Sequence, residues 1–97
     1  MKALEQAAVL VSLKGDFDIS SRDSLRKLLA KAEQADAAVI DLSGVTYAGT
    51  TLLNALISLR RRMRLHGREG AIRLVGSSTH MRKLLTITAL DRLFDVA

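Results

Sequence analysis

The sequence predicts an α/β fold, a mixed central sheet of about five strands flanked by about four helices, in one domain over residues 1–97. Three observations carry this. Short apolar runs ("AAVLVSL", "AAVIDL", "AIRLV") alternate with longer stretches whose leucines recur at i, i+3, i+4 and i+7. The resulting order, β-β-α-β-α-β-α, suits a largely parallel centre. The chain has 97 residues, 48% of them apolar and none proline. A domain of that size buries roughly two thirds of the surface its unfolded chain exposes, enough for one core.

Each element has its own local reason. Ala7 to Leu13 reads as a strand, and "KGDFD" after it as a turn into a further extended piece. "ISSRDSLRKLLAKAEQA" reads as a helix in which Ser20 or Ser21 caps the first amides and Asp23 sits in the first turn. Leu25, Leu28, Leu29 and Ala32 form its buried face. Ala37 to Leu42 reads as a buried central strand, ended by Ser43 and Gly44, with Asp41 capping an exposed loop, "GVTYAG". A second helix runs from Thr50 to about Leu65, with Leu52, Leu56, Leu59 and Met63 as its core stripe, Leu53 and Ile57 beside it, and Gly67 as its stop. Ala71 to Val75 is the next strand. Gly76 turns the chain, Ser77 or Ser78 caps a third helix carrying Met81, Leu84 and Leu85, and "LDRLF" forms a last short helix before an edge strand.

Composition excludes several functions. There is no cysteine, hence no disulfide, thiolate nucleophile or thiolate metal site. His66 and His80 share no ligand-like spacing, "GSS" at 76–78 is too short for a phosphate loop, and Asp16 and Asp18 suit turn chemistry better than a metal. No nucleophile, base and acid assemble, so no enzyme, cofactor or metal is expected. The longest apolar run, Ala7 to Leu13, falls far short of the roughly 20 residues of a membrane span. Glu5 and the lack of a small-x-small site argue against a secretory leader, so a cytoplasmic protein is expected.

The net charge of +5 comes from 15 basic and 10 acidic residues. "RRRMRLHGR", Arg60 to Arg68, holds five arginines and no acid, and so carries the whole excess. Read locally, it is a solvated helix end, where cations suit the dipole. Docking on an acidic protein surface ranks next. Nucleic acid is disfavoured, because Phe17, Tyr47 and Phe94 are the only aromatics and none lies in the patch. By residue type alone, Thr50 and Thr51 are helix-capping threonines, worth roughly 1 kcal/mol.

Three stretches together resemble a STAS domain, the fold of bacterial anti-sigma factor antagonists that also occurs in sulfate transporters. They are "LKGDFDISSRDSLRKLL", "AAVIDLSGVTYAGTTLLNALISLRRRMRLHG" and "AIRLVGSSTHMRKLLTITALDRLFDVA", in family order. The antagonist class reads Asp-Ser-Ser-Gly after its central loop. Here Gly49 stands at the aspartate, Thr50 at the first serine, Thr51 at the phosphorylated serine and Leu52 at the glycine. The hydroxyls are kept, the acid and the glycine are not, and Leu52 is expected to add bulk where a partner approaches.

The resemblance implies an antagonist that binds an anti-sigma factor of the serine/threonine kinase type and so regulates sigma-dependent transcription. The implied contacts are Asp18, Ser20, Ser21, Tyr47, Ala48, Gly49, Thr50, Thr51, Leu52 and Asn54. Thr51, with Thr50 second, is the implied phosphorylation site, while Thr50 is the better helix cap. A phosphate adds about −1.5 to −2 charges, which a helix N-terminus favours, so modification would act on the partner surface and not on folding. The alternative is a constitutive STAS subunit of an ABC lipid-transport complex or a larger signalling assembly, without phosphorylation. The sequence sets no oligomeric state.

Overall fold

The computed structural model describes residues 8–97; the expected strand start at Ala7 lies outside the described residues. Strand β1 (Ala8–Phe17) leads through a 3-10 turn (Ile19–Ser21) into helix α1 (Arg22–Leu29) and a second 3-10 turn (Ala30–Gln34). Strand β2 (Ala37–Ala48), helix α2 (Thr50–Leu65), strand β3 (Ala71–Val75) and helix α3 (Thr79–Ile87) follow. A 3-10 turn (Leu90–Arg92) and the short strand β4 (Asp95–Val96) complete the chain.

The α/β class is as expected, but the sheet is not mixed and not five-stranded. Among the described residues it has four strands in the order β1-β2-β3-β4, and every pair is parallel. The discrepancy arises at "KGDFD". Gly15 adopts φ +91°, open to glycine at little cost, and the register against β2 shifts between Ser12 and Lys14 and again between Gly15 and Asp16. The extra residue at each shift lies on β2, β1 continues through Gly15 to Phe17, and the two expected strands are one. The same pairing carries β2 past Leu42 to Ala48, so "GVTYA" is strand and not loop.

Consecutive parallel strands in sequence order favour crossovers of one hand, and Leu25, Leu56 and Leu85 of α1, α2 and α3 share one core cluster with Ile40 and Leu74 of the sheet, so the three helices cover one face. Burial alternates accordingly. Val11, Leu13 and Phe17 of β1, Ala38, Ile40 and Leu42 of β2, and Ile72 and Leu74 of β3 are buried. Ser12, Lys14, Asp16 and Arg73 point the other way and are exposed. β2 is therefore half-buried and not buried on both faces.

Among the described residues the α-helices number three, not about four. The first expected helix breaks into a 3-10 turn, α1 and a second 3-10 turn, and "LDRLF" makes only a 3-10 turn. Leu25, Leu29 and Ala32 face the core, but Leu28 is 45% exposed, one residue off the buried stripe. In α2 the stripe is as expected: Leu52, Leu53, Leu56, Leu59 and Met63 are buried. α2 ends in a Schellman motif. The Arg68 N–H donates to the Met63 carbonyl at 2.9 Å and the Gly67 N–H to the Arg64 carbonyl at 3.0 Å, with Gly67 at φ +79°. Ser78 caps α3 by accepting from the Met81 N–H at 3.1 Å.

Leu56 is fully buried between the helix layer and the sheet. Leu56→Ala is expected to cost about 2–5 kcal/mol, and Leu28→Ala under about 1 kcal/mol. Urea unfolding of the two variants checks both.

Candidate functional site

The site lies beyond the carboxyl ends of β1 and β2. Phe17 pairs with Ala48, so the strands end side by side and the next residues, Asp18 and Gly49, both start helical segments. The two starts differ. Asp18 closes the first: its Oδ1 accepts from the Ser20 N–H at 2.9 Å and the Ser20 hydroxyl at 2.5 Å, and its own N–H donates to Ser21 Oγ at 3.3 Å. This is a capping box. The Ser21 hydroxyl also reaches the Asp16 carbonyl at 3.3 Å, and the Thr46 hydroxyl donates to Asp16 Oδ1 across the strand pair. Asp18 thus caps the 3-10 turn, while Ser21 holds the expected N-cap position of α1 but makes no side-chain bond to its amides. The Ser20 hydroxyl, followed by its N–H, holds the Asp18 carboxyl below its ordinary range. Asp41 is held low in the same way, mainly by the Ser43 N–H at 2.9 Å, although it sits within β2 and not at its end.

The second start is open. Gly49, not Thr50, is the N-cap of α2, and no side chain bonds to the helix amides there. Glycine has no acceptor to offer, so the first amides of α2 have no side-chain partner. Tyr47, 57% exposed, folds back over Gly49: a Cβ at that position would lie 3.1 Å from the Tyr47 hydroxyl oxygen.

The structure divides the expected contact residues. Thr50, Thr51 and Asn54 line a groove of about 400 Å³ between α1 and α2, facing Arg22 and Arg26. Tyr47 and Ala48 line a separate cleft of about 240 Å³ against Ser78 and His80 of the α3 start. Asp18, Ser20 and Ser21 line neither; the Asp18 carboxylate and the two serine hydroxyls are engaged in the capping network. Leu52 is fully buried and Ala48 is 7% exposed. Neither presents a side chain to a partner, and Leu52 adds no bulk to the surface because the core stripe claims it.

Sequence reading missed Arg22 and Arg26. Their i, i+4 spacing on the first helix was the available signal, since it puts both on one face. Among the described residues no three His, Asp or Glu side chains group as metal ligands, and no helix is long and apolar enough to cross a membrane.

A depressed carboxyl sets the sign of a pH effect. Asp18 stabilises the fold above its unfolded-state value, near 3.9, and that contribution is lost as the pH falls through the lower folded-state value. Asp18→Asn should therefore be less stable than the parent at neutral pH, with the difference closing as the pH falls through the lowered folded-state value. Urea melts at a series of pH values check this.

Solved structures share this architecture. An anti-sigma factor antagonist from Mycobacterium paratuberculosis is 25% identical, with a TM-score of 0.75 over 93% of this chain and 76% of that one. The phosphorylated form of the Bacillus cell fate determinant SpoIIAA is 16% identical, with a TM-score of 0.69 over 95% and 84%. The STAS domain of a SulP transporter from Vibrio cholerae is 15% identical, with a TM-score of 0.64 over 94% and 74%. No curated protein matches in sequence. A family model described as "Mlab, STAS domain" matches residues 1–95, and the chain belongs to the STAS domain family.

Proposed function

We propose that this chain is a constitutive STAS interaction subunit that docks on a protein partner through Asp18, Ser20, Ser21, Tyr47, Gly49, Thr50, Thr51 and Asn54. The setting is an ABC lipid-transport complex or a larger signalling assembly. The observation that carries the constitutive form is at Gly49. The antagonist motif has an aspartate there; here the position carries no side chain, and the Tyr47 hydroxyl stands 3.1 Å from where a Cβ would lie. The glycine two positions past the first hydroxyl is also replaced, by the core residue Leu52. The sequence match is to the Mlab STAS model, whereas the likeness to antagonists is one of fold. The uncapped amides at the α2 start would accept a carboxylate or carbonyl of the partner.

A second reading keeps the switch: an anti-sigma factor antagonist whose kinase-type partner phosphorylates Thr51 and is thereby released. Its support is local. Thr51 keeps the hydroxyl, the α2 start carries no side-chain cap, and Arg22 and Arg26 line the same groove. A phosphate there would meet favourable charge and leave the fold intact.

The two readings separate on the tagged protein recovered from its own cells. The constitutive subunit holds an ABC ATPase or assembly partner, with Thr51 unmodified by mass spectrometry. Recovery of a kinase-type anti-sigma factor, with phosphate on Thr51 after addition of ATP, supports the switch instead. In either case Thr51→Arg should weaken partner binding by about tenfold or more, and unchanged binding would exclude this surface.

A further inference from the structure

We propose that the C-terminal end of α2 is a second docking surface, and that it takes an acidic, amphipathic protein segment. Helix α2 has 16 residues, which separates its two ends by about 24 Å. The groove there shares no lining residue with the one that holds Thr50 and Thr51, so it lies on another face of α2 and stands whatever partner binds the first.

The arginine cluster divides into two sets. Arg62 pairs with Glu33 at 3.7 Å and Arg68 with Asp36 at 2.8 Å, both toward the segment that follows α1. Arg60, Arg61 and Arg64 have no acidic partner among the described residues. Arg64 donates only to the Glu69 backbone carbonyl, at 3.2 Å, which leaves its charge uncompensated. These three cations surround a groove of about 360 Å³ whose apolar lining is Ile57, Leu65 and Leu93. Leu65 is 77% exposed and Leu93 38%.

The stems of Arg60 and Arg64 pack on the backbone of a loop. The loop after α2 returns at Gly70, with φ +75°, directly beneath their stems. A Cβ on Gly70 would lie 3.0 Å from Cγ of Arg64 and 3.1 Å from Cγ of Arg60. Glycine lets the backbone come this close, and the loop supports the aliphatic stems of Arg60 and Arg64.

Charge and shape together select the occupant. Planar guanidinium groups bind carboxylates in a bidentate manner, and the groove uses arginine throughout, never lysine. The aliphatic lining has no use for a phosphate backbone, and no aromatic is present to stack a base. Ile57 and Leu93 sit within the groove, where a flat bilayer surface reaches poorly and a side chain from an amphipathic helix reaches well.

The test is an NMR titration of the whole protein with a helical peptide of leucine and glutamate, the leucines repeating at i, i+3, i+4 and i+7. The methyl signals of Ile57, Leu65 and Leu93 should shift while those around Thr51 stay in place. Arg60→Glu combined with Arg64→Glu should weaken binding by about tenfold or more, with the thermal melt unchanged. The same peptide with glutamine for glutamate should fail to bind, a comparison that needs no variant protein. The proposal is overturned by the absence of methyl shifts at about 1 mM peptide, or by equal binding of the glutamine peptide. It is equally overturned if phosphatidylglycerol vesicles or a DNA duplex bind the groove more tightly than the glutamate peptide.

Discussion

The parallel pairing of β1 with β2 is the constraint from which the rest follows. It runs from Ala8 opposite Ala37 to Phe17 opposite Ala48, through two register shifts. Because the strands stay paired to their last residues, Asp18 and Gly49 leave the sheet as neighbours and start their helical segments together. The same parallel, sequential order favours crossovers of one hand, and Leu25, Leu56 and Leu85 meet a single sheet face. Parallel strands gain nothing from a short hairpin. Their association depends on the crossover helices burying that face.

The two helical starts differ in what they leave unsatisfied. At the first, a carboxylate and two serines consume the local donors and tie β1 to β2 through Asp16 and Thr46. At the second, glycine offers no acceptor, so the α2 amides keep their capacity for an outside group. One start is built for rigidity and the adjacent one for contact. Tyr47 lies over the second, its hydroxyl 3.1 Å from where a Cβ at Gly49 would lie, and no carboxylate stands beside Thr50 in the chain. That exchange of a charged contact for an aromatic one underlies the proposal of a constitutive interaction over a phosphorylation switch.

Much of this was legible in the sequence because it is local. The leucine stripe of α2, the Ser78 cap, the Gly67 stop and the arginine excess are each set by residues within one or two turns. What was not legible depends on partners distant in sequence. Gly15 reads as a turn, and only the pairing with β2 carries the strand through it. "GVTYA" has loop composition yet is strand, because β1 runs alongside it. Leu52 carried two incompatible readings, core residue by periodicity and contact residue by resemblance, and periodicity prevails since it is fully buried. Thr50 resembles a cap in residue type, but the strand end at Ala48 places Gly49 in the capping position.

Amide hydrogen exchange across residues 44–48 tests the central claim most directly, because the site depends on β2 continuing as strand to its junction with α2. If the pairing holds, the amides bonded to β1 in this stretch exchange slowly, within about tenfold of those in residues 38–42 of the same strand. Exchange at loop-like rates throughout 44–48, with residues 38–42 protected, would contradict the account: Asp18 and Gly49 would then not be held together by the sheet.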